Sequence, residues 1–201
     1  MMTTKPSEIL AALPLHTPTP DAWTKVVLGS LSEFIADHAS CERKAHAAAM
    51  MLVNRFPEHP DLQDMMIQLA HEELDHFQQV LRILRGRNLT VHNDEVDLYV
   101  KKLLTHVRHP RREHLLDRLL VVALVEARSC ERFCLLAIAL PEGPLKDFYT
   151  TFAADEGRHV PLFVNAAKSL YPADEVEHRL DELLAVESRI MNDLPLRPAV
   201  H

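Results

Sequence analysis

Four stretches of this 201-residue chain carry apolar residues at alternating steps of three and four, and each is interrupted near its middle by glutamate. That spacing keeps side chains on one side of a helix. The first seam reads Leu31, Ile35, His38, Glu42, Ala45, Ala49, Leu52 and Phe56, and the second Leu62, Met66, Leu69, Glu73, His76, Val80 and Ile83. The third is Leu115, Leu119, Val122, Glu126, Cys130, Phe133, Ala137 and Leu140, and the fourth Leu145, Tyr149, Phe152, Glu156, His159, Phe163, Ala166 and Leu170. A carboxylate on an inward face is costly unless it is paired or ligates a metal. Four of them demand compensation, and two metal ions would supply it.

The punctuation of the chain agrees with an all-α fold. Only four Gly occur, and the thirteen Pro cluster where helices would end. Thr19 is expected to cap a first helix that Pro20 opens and that runs to about Arg55. Pro60 opens a second, which Gly86 can close. A shorter helix over about 94–107 lies in a connection spanning 86–111; the third and fourth long helices cover about 112–140 and 144–170. A fifth covers 173–194. The expectation is one domain over 1–201, with an N-terminal extension at 1–19, a long crossover between helices two and three, and an added C-terminal helix.

Glu42 precedes Glu73 by 31 residues, and Glu126 precedes Glu156 by 30. In antiparallel helices joined by short turns, about 15 residues out and about 15 back bring two residues to one height. The chain therefore reads as two repeated helix pairs. A bundle offering one Glu from each of two helices and Glu-x-x-His from each of the other two is the carboxylate-bridged di-iron layout. The ligands expected are Glu42, Glu73, His76, Glu126, Glu156 and His159. Oxygen and imidazole donors suit manganese as well as iron, so the donor types alone do not choose the metal.

Rival readings are weaker. Sixteen Glu and thirteen His in 201 positions make about one Glu-x-x-His pair expected by chance, and three occur. The third, Glu175 with His178, shares its face with Asp181 and Glu182 and reads as solvated. "HEELDH" misses the zinc-protease pattern because Asp75 stands where its second His belongs. "SCER" occurs at 40–43 and again at 129–132, which would align Glu42 with Glu131. Glu126 is preferred on spacing, and Glu131 stays open as the alternative ligand. The run "DEGRH" resembles the D-E-x-R-H pattern of many di-iron proteins, which implies that Asp155 orients a metal-bound His. Glu72, at the corresponding place before Glu73, departs from that pattern. Asp75 and Arg158 are assigned to helix-surface ion pairs, and Gly157 with Pro161 to a kink or a helix end.

Composition removes other classes. Cys41, Cys130 and Cys134 include no C-x-x-C pair, which argues against a disulfide framework or zinc ribbon. No apolar run approaches the roughly 20 residues of a membrane span, and the opening lacks a signal-peptide layout, so a cytoplasmic protein is expected. The formal net charge of -7 disfavours polyanions, yet from Arg82 to Arg118 nine Lys/Arg face five acids. Arg82, Arg85 and Arg87 would end helix two, and Arg108, Arg111 and Arg112 would open helix three, so these six are the candidate nucleic-acid contacts.

The seams around Glu42, Glu73/His76, Glu126 and Glu156/His159 resemble the ferritin-like di-iron superfamily. The segments "DHASCERKAHAAAMML", "AHEELDHFQQVLRIL", "VEARSCERF" and "DEGRHVPLF" resemble the MiaE family of bacterial tRNA hydroxylases, from about residue 20 to 190. The resemblance implies an oxygen-dependent monooxygenase with two iron ions. Its substrate would be the isopentenyl chain of 2-methylthio-N6-isopentenyladenosine, next to the anticodon of tRNA. It also implies an external electron donor such as a ferredoxin or reductase, because no flavin or iron–sulfur motif is visible. Two alternatives are kept: a ferritin- or rubrerythrin-like ferroxidase or peroxidase without an organic substrate, and a metal-free helical interaction protein.

Overall fold

The computed structural model describes residues 5–91 and 96–201, and these are helical with no strand among them. Residues 1–4 of the expected extension and 94–95 of the expected crossover helix lie outside the described residues. The helices are α1 (Pro6–Ala12), α2 (Ala22–Gly29), α3 (Leu31–Arg55), α4 (Pro60–Gly86), α5 (Leu98–Leu104), α6 (Arg111–Ala139), α7 (Pro144–Leu170) and α8 (Ala173–Asp193). They form two compact units. Of the described residues, one contains 5–28, 97–197 and 201, and the other 29–91, 96 and 198–200.

In the second unit α3 and α4 form an antiparallel hairpin. His46 Nδ1 lies 2.8 Å from the Ala70 carbonyl, and Gln63 Nε2 donates to the Val53 carbonyl at 3.4 Å, as a hairpin turning at 56–59 requires. Pro60 begins α4 at a position where its missing N–H costs nothing. The helix does not stop through its glycine. Gly86 stays helical, and Asn88 takes the left-handed conformation at φ 57°. Asn88 and Leu89 donate to the carbonyls of Arg85 and Leu84, closing the last turn.

The first unit is built on a second antiparallel hairpin, α6 with α7. Cys130 Sγ bonds to the Ala153 carbonyl, and Phe133 meets Tyr149 and Phe152. Gly143 makes the turn at φ 149°, ψ 179°, a conformation essentially confined to glycine. Pro161 neither ends nor divides α7, which continues to Leu170.

Two expectations for the N-terminal half are corrected. The long first helix is broken at Ser30 (φ −139°, ψ 44°), directly after Gly29, a poor helix former, so α2 and α3 are separate. Thr19 is not a helix cap. Its backbone N–H and its hydroxyl donate to the Glu131 carboxylate at 2.9 and 2.5 Å, and the helix begins at Ala22. The extension also holds a helix not foreseen, α1, which lies against α6 and α7. A Cβ at Gly157 would stand 3.3 Å from Ile9 Cγ2 and 3.7 Å from Cys130 Sγ. Glycine at 157 is what lets α1 approach α7 this closely.

The hydrophobic seams form the interiors of these hairpins. All four glutamates and both Glu-x-x-His histidines are buried; of the seam residues only Leu170 is exposed.

Candidate metal centre

Each unit holds one buried cluster of two carboxylates and an imidazole. In the α3–α4 hairpin, Glu42 comes from one helix and Glu73 with His76 from the other. His76 Nδ1 lies 3.7 Å from Glu42 Oε2 and 3.6 Å from Glu73 Oε2. In the α6–α7 hairpin, His159 Nδ1 lies 3.9 Å from Glu126 Oε2 and 3.1 Å from Glu156 Oε2. Within each triad the ligating atoms lie within 4.8 Å of one another. The arrangement follows from helix geometry. Glu and His three apart on one helix project side by side, and the neighbouring helix adds a glutamate at the same height.

Hard carboxylate oxygens with one imidazole nitrogen suit a divalent first-row metal. Buried charges packed this closely need a cation beside them. The donor set of each triad therefore fits an iron ion.

His38, a seam residue that the spacing alone does not single out, also lies at the α3–α4 cluster. It is fully buried one turn before Glu42, with Nε2 3.0 Å from Glu42 Oε1. The signal was available: a polar residue on the seam four positions before a proposed ligand.

Glu131 lies in a different environment from Glu126. It accepts from Thr19 and from Arg128, which is itself buried and bonded through Nε and Nη2 to Glu187 at 2.9 and 2.6 Å. Arg128 Nη2 also donates to the Thr17 carbonyl at 2.8 Å, and Tyr99 donates to Glu187 at 3.1 Å. Burial alone would lower the Arg128 pKa, but Glu187 and Glu131 outweigh it and hold the guanidinium charged. This network ties the N-terminal segment, α5 and α8 to α6 and leaves Glu131 engaged.

Asp155 is corrected. It is partly exposed, and its Oδ1 accepts from Arg158 Nη2 at 2.8 Å, so it forms a surface ion pair instead of orienting a histidine. His178 is exposed and 3.8 Å from Glu182, while Glu175 binds Arg112; that Glu-x-x-His pair is a surface feature.

The six candidate arginines divide into groups. Arg108 is committed to Asp117, with Nη2 at 2.7 Å. Arg112 makes two 2.7 Å bonds to Glu175 and lies 4.8 Å over the Tyr171 ring. Arg111 is exposed, as are Arg82, Arg85 and Arg87 around the end of α4. The Cys130 thiol, one turn after Glu126, has its pKa raised by its hydrogen bond with the Cys134 thiol and by burial. It is a neutral packing group.

Comparison with known proteins agrees with this architecture. A solved structure described as a protein with aldehyde deformylating oxygenase activity, from Synechococcus, superposes with a TM-score of 0.89 at 33% identity, covering 93% of this chain and 94% of that one. A tRNA 2-(methylsulfanyl)-N(6)-isopentenyladenosine(37) hydroxylase from Pseudomonas putida is 34% identical over 177 residues, covering 88% of this chain and 86% of that protein. A protein of the same description from Salmonella typhimurium is 30% identical over 234 aligned positions, covering 92% and 84%. The fold is all-α and ferritin-like. The model of the family described as tRNA-(MS[2]IO[6]A)-hydroxylase (MiaE) matches residues 8–201, and the chain belongs to that family.

Proposed function

We propose that this chain is a single ferritin-like domain acting as a di-iron, dioxygen-dependent monooxygenase in the cytoplasm, hydroxylating the isopentenyl chain of 2-methylthio-N6-isopentenyladenosine beside the anticodon of tRNA. The observation that carries this reading is the buried Glu, Glu-x-x-His triad that occurs once in each unit of a chain of this family.

Glu42, Glu73 and His76 from one unit, and Glu126, Glu156 and His159 from the other, would hold two iron ions. Bound iron supplies the reduction of dioxygen. The protein's part is positioning and exclusion. His38 Nε2 stands 3.0 Å from Glu42 Oε1, from where it would restrict that carboxylate's orientation. Apolar neighbours on the same seams, among them Leu69 and Val80 beside Glu73/His76 and Phe152 and Phe163 beside Glu156/His159, are buried and keep bulk water from the ligands. In the overall reaction one oxygen atom enters a C–H bond of the isopentenyl chain and the other leaves as water. Two electrons and two protons are consumed, and an external carrier or reductase would supply the electrons.

For the tRNA phosphates we propose the segment around α5 and the start of α6. Lys101, Lys102 and Arg111 are exposed there, three cations suited to a polyanion, with His106 and His109 exposed beside them. Arg108 and Arg112 brace this segment through Asp117 and Glu175.

The test is a single turnover. Ferrous-loaded, chemically reduced protein is given oxygen and tRNA carrying the prenylated adenosine, and the digested nucleosides are weighed. Gain of one oxygen on that nucleoside is the expected result. No gain, with two irons per chain and oxygen consumed, would move the assignment to ferroxidase or peroxidase chemistry. Loss of the formyl group from an aldehyde in place of nucleoside oxidation would favour the activity named for the Synechococcus protein.

A further inference from the structure

Helix α4 turns two proposed ligands inward and a different surface outward. At 3.6 residues per turn, Ile67, His71, Leu74, Gln78, Leu81 and Arg85 form one line along the helix, opposite His76. Ile67 is 40% exposed and Leu74 39%, and His71, Gln78 and Arg85 are exposed too. Asp64 and Asp75, both exposed, flank the line on the side of Arg82, and no acidic residue lies within 77–86, the end that carries Arg82 and Arg85. Arg82 widens its cationic end. Among the described residues, neither Arg82 nor Arg85 makes an ion pair, in contrast to Arg108 and Arg112.

We propose that this outer face of α4 docks an acidic one-electron iron–sulfur carrier protein that delivers the electrons for the oxygenase reaction. The inference rests on the function proposed above. Inserting one oxygen atom into a C–H bond and releasing the other as water takes two electrons and two protons. Two reduced carriers, each oxidised by one electron in turn, balance the step, with the protons drawn from solvent. The stripe is about 27 Å long at 1.5 Å per residue, and an α-helix is about 10–12 Å across with its side chains. A carrier seated on it comes within about one helix diameter of His76.

The chemistry of the face matches a transient redox contact. Such interfaces are small, at less than about 1,200 Å². Exposed cations at one end steer an acidic partner and fix its orientation. Exposed aliphatics over the ligand helix provide the short-lived apolar contact. A nucleic acid would leave Ile67 and Leu74 without a role and would find only two arginines here, whereas the α5–α6 segment offers a denser run of cations.

The test uses the full-length, iron-loaded protein, with a plant-type [2Fe–2S] ferredoxin as the probe and calorimetry at low salt as the readout. Binding that weakens as salt is raised is expected. Arg82→Glu/Arg85→Glu and Ile67→Glu/Leu74→Glu should each weaken it at least tenfold, while both variants keep the parent's circular dichroism and melting temperature. Unchanged ferredoxin affinity in both variants would overturn the proposal. So would loss of tRNA affinity alone in the arginine variant, which would give this face to nucleic acid. A dimer that Ile67→Glu/Leu74→Glu dissociates while ferredoxin still binds would make the face a contact between copies of the chain. If chemically reduced parent protein yields no hydroxylated nucleoside, the proposed function fails, and the binding result still decides the docking face.

Discussion

Arg128 and Glu131 stand one turn apart on α6, both buried and bonded to each other, with Glu187 on the other side of the same guanidinium. Glu126 shares that helix and that degree of burial but lies beside His159 in α7. Two similar glutamates thus serve different purposes, and they should separate by experiment. Glu131→Gln breaks a buried ion pair and should cost about 3 kcal/mol of stability while leaving metal content unchanged. Glu126→Gln should lower bound iron with little loss of melting temperature. Elemental analysis and thermal unfolding on the two variants check this.

His76→Ala and His159→Ala remove the single imidazole from their respective triads. Each is expected to reduce iron from two ions per chain to one or none and to abolish nucleoside hydroxylation, with helix content by circular dichroism retained. His38→Ala should keep partial iron binding, because His38 acts on Glu42 from behind. An effect as large as that of His76→Ala would make His38 a direct ligand.

Asp117 governs part of the acid stability. Burial alone would raise its carboxyl pKa, but hydrogen bonds from Arg108 and Arg179 outweigh it and hold the group below its ordinary value. A carboxyl depressed in the folded state contributes stability that is fully present above the unfolded pKa, about 3.9, and is lost as pH falls through the folded value. Asp117→Asn should therefore destabilise at neutral pH and flatten the decline in stability below about pH 4. Equilibrium urea unfolding across that range, compared with the parent, measures the difference.

Gly157 carries the contact between α1 and α7. Gly157→Leu should displace Ile9 and release α1, read as faster hydrogen exchange over residues 6–12 with α6 and α7 still protected. Gly157→Ala gains helix propensity of about 1 kcal/mol against a contact that a methyl shift can relieve, so it should be near neutral.

Lys101→Glu/Lys102→Glu should weaken tRNA binding and reduce the slope of log affinity against log salt by about one to two. Arg112→Ala should instead lower stability, since its charge is occupied by Glu175. Fluorescence anisotropy at several salt concentrations distinguishes the two.

The four long seams, their glutamates and the antiparallel pairing were legible from sequence because helix periodicity and spacing are local properties. Glu42, Glu73, His76, Glu126, Glu156 and His159 could be named as candidates for the same reason: a carboxylate in an apolar seam contradicts its surroundings unless something compensates it. What surrounds those residues was decided by tertiary contacts. Thr19 became a partner of Glu131 across 112 residues, Arg108 and Arg112 found acids that absorb their charge, and Asp155 turned to Arg158. Periodicity determines which side of a helix a residue occupies. Only the folded chain determines which of several oppositely charged groups reaches it first, because those partners arrive from elements distant in sequence.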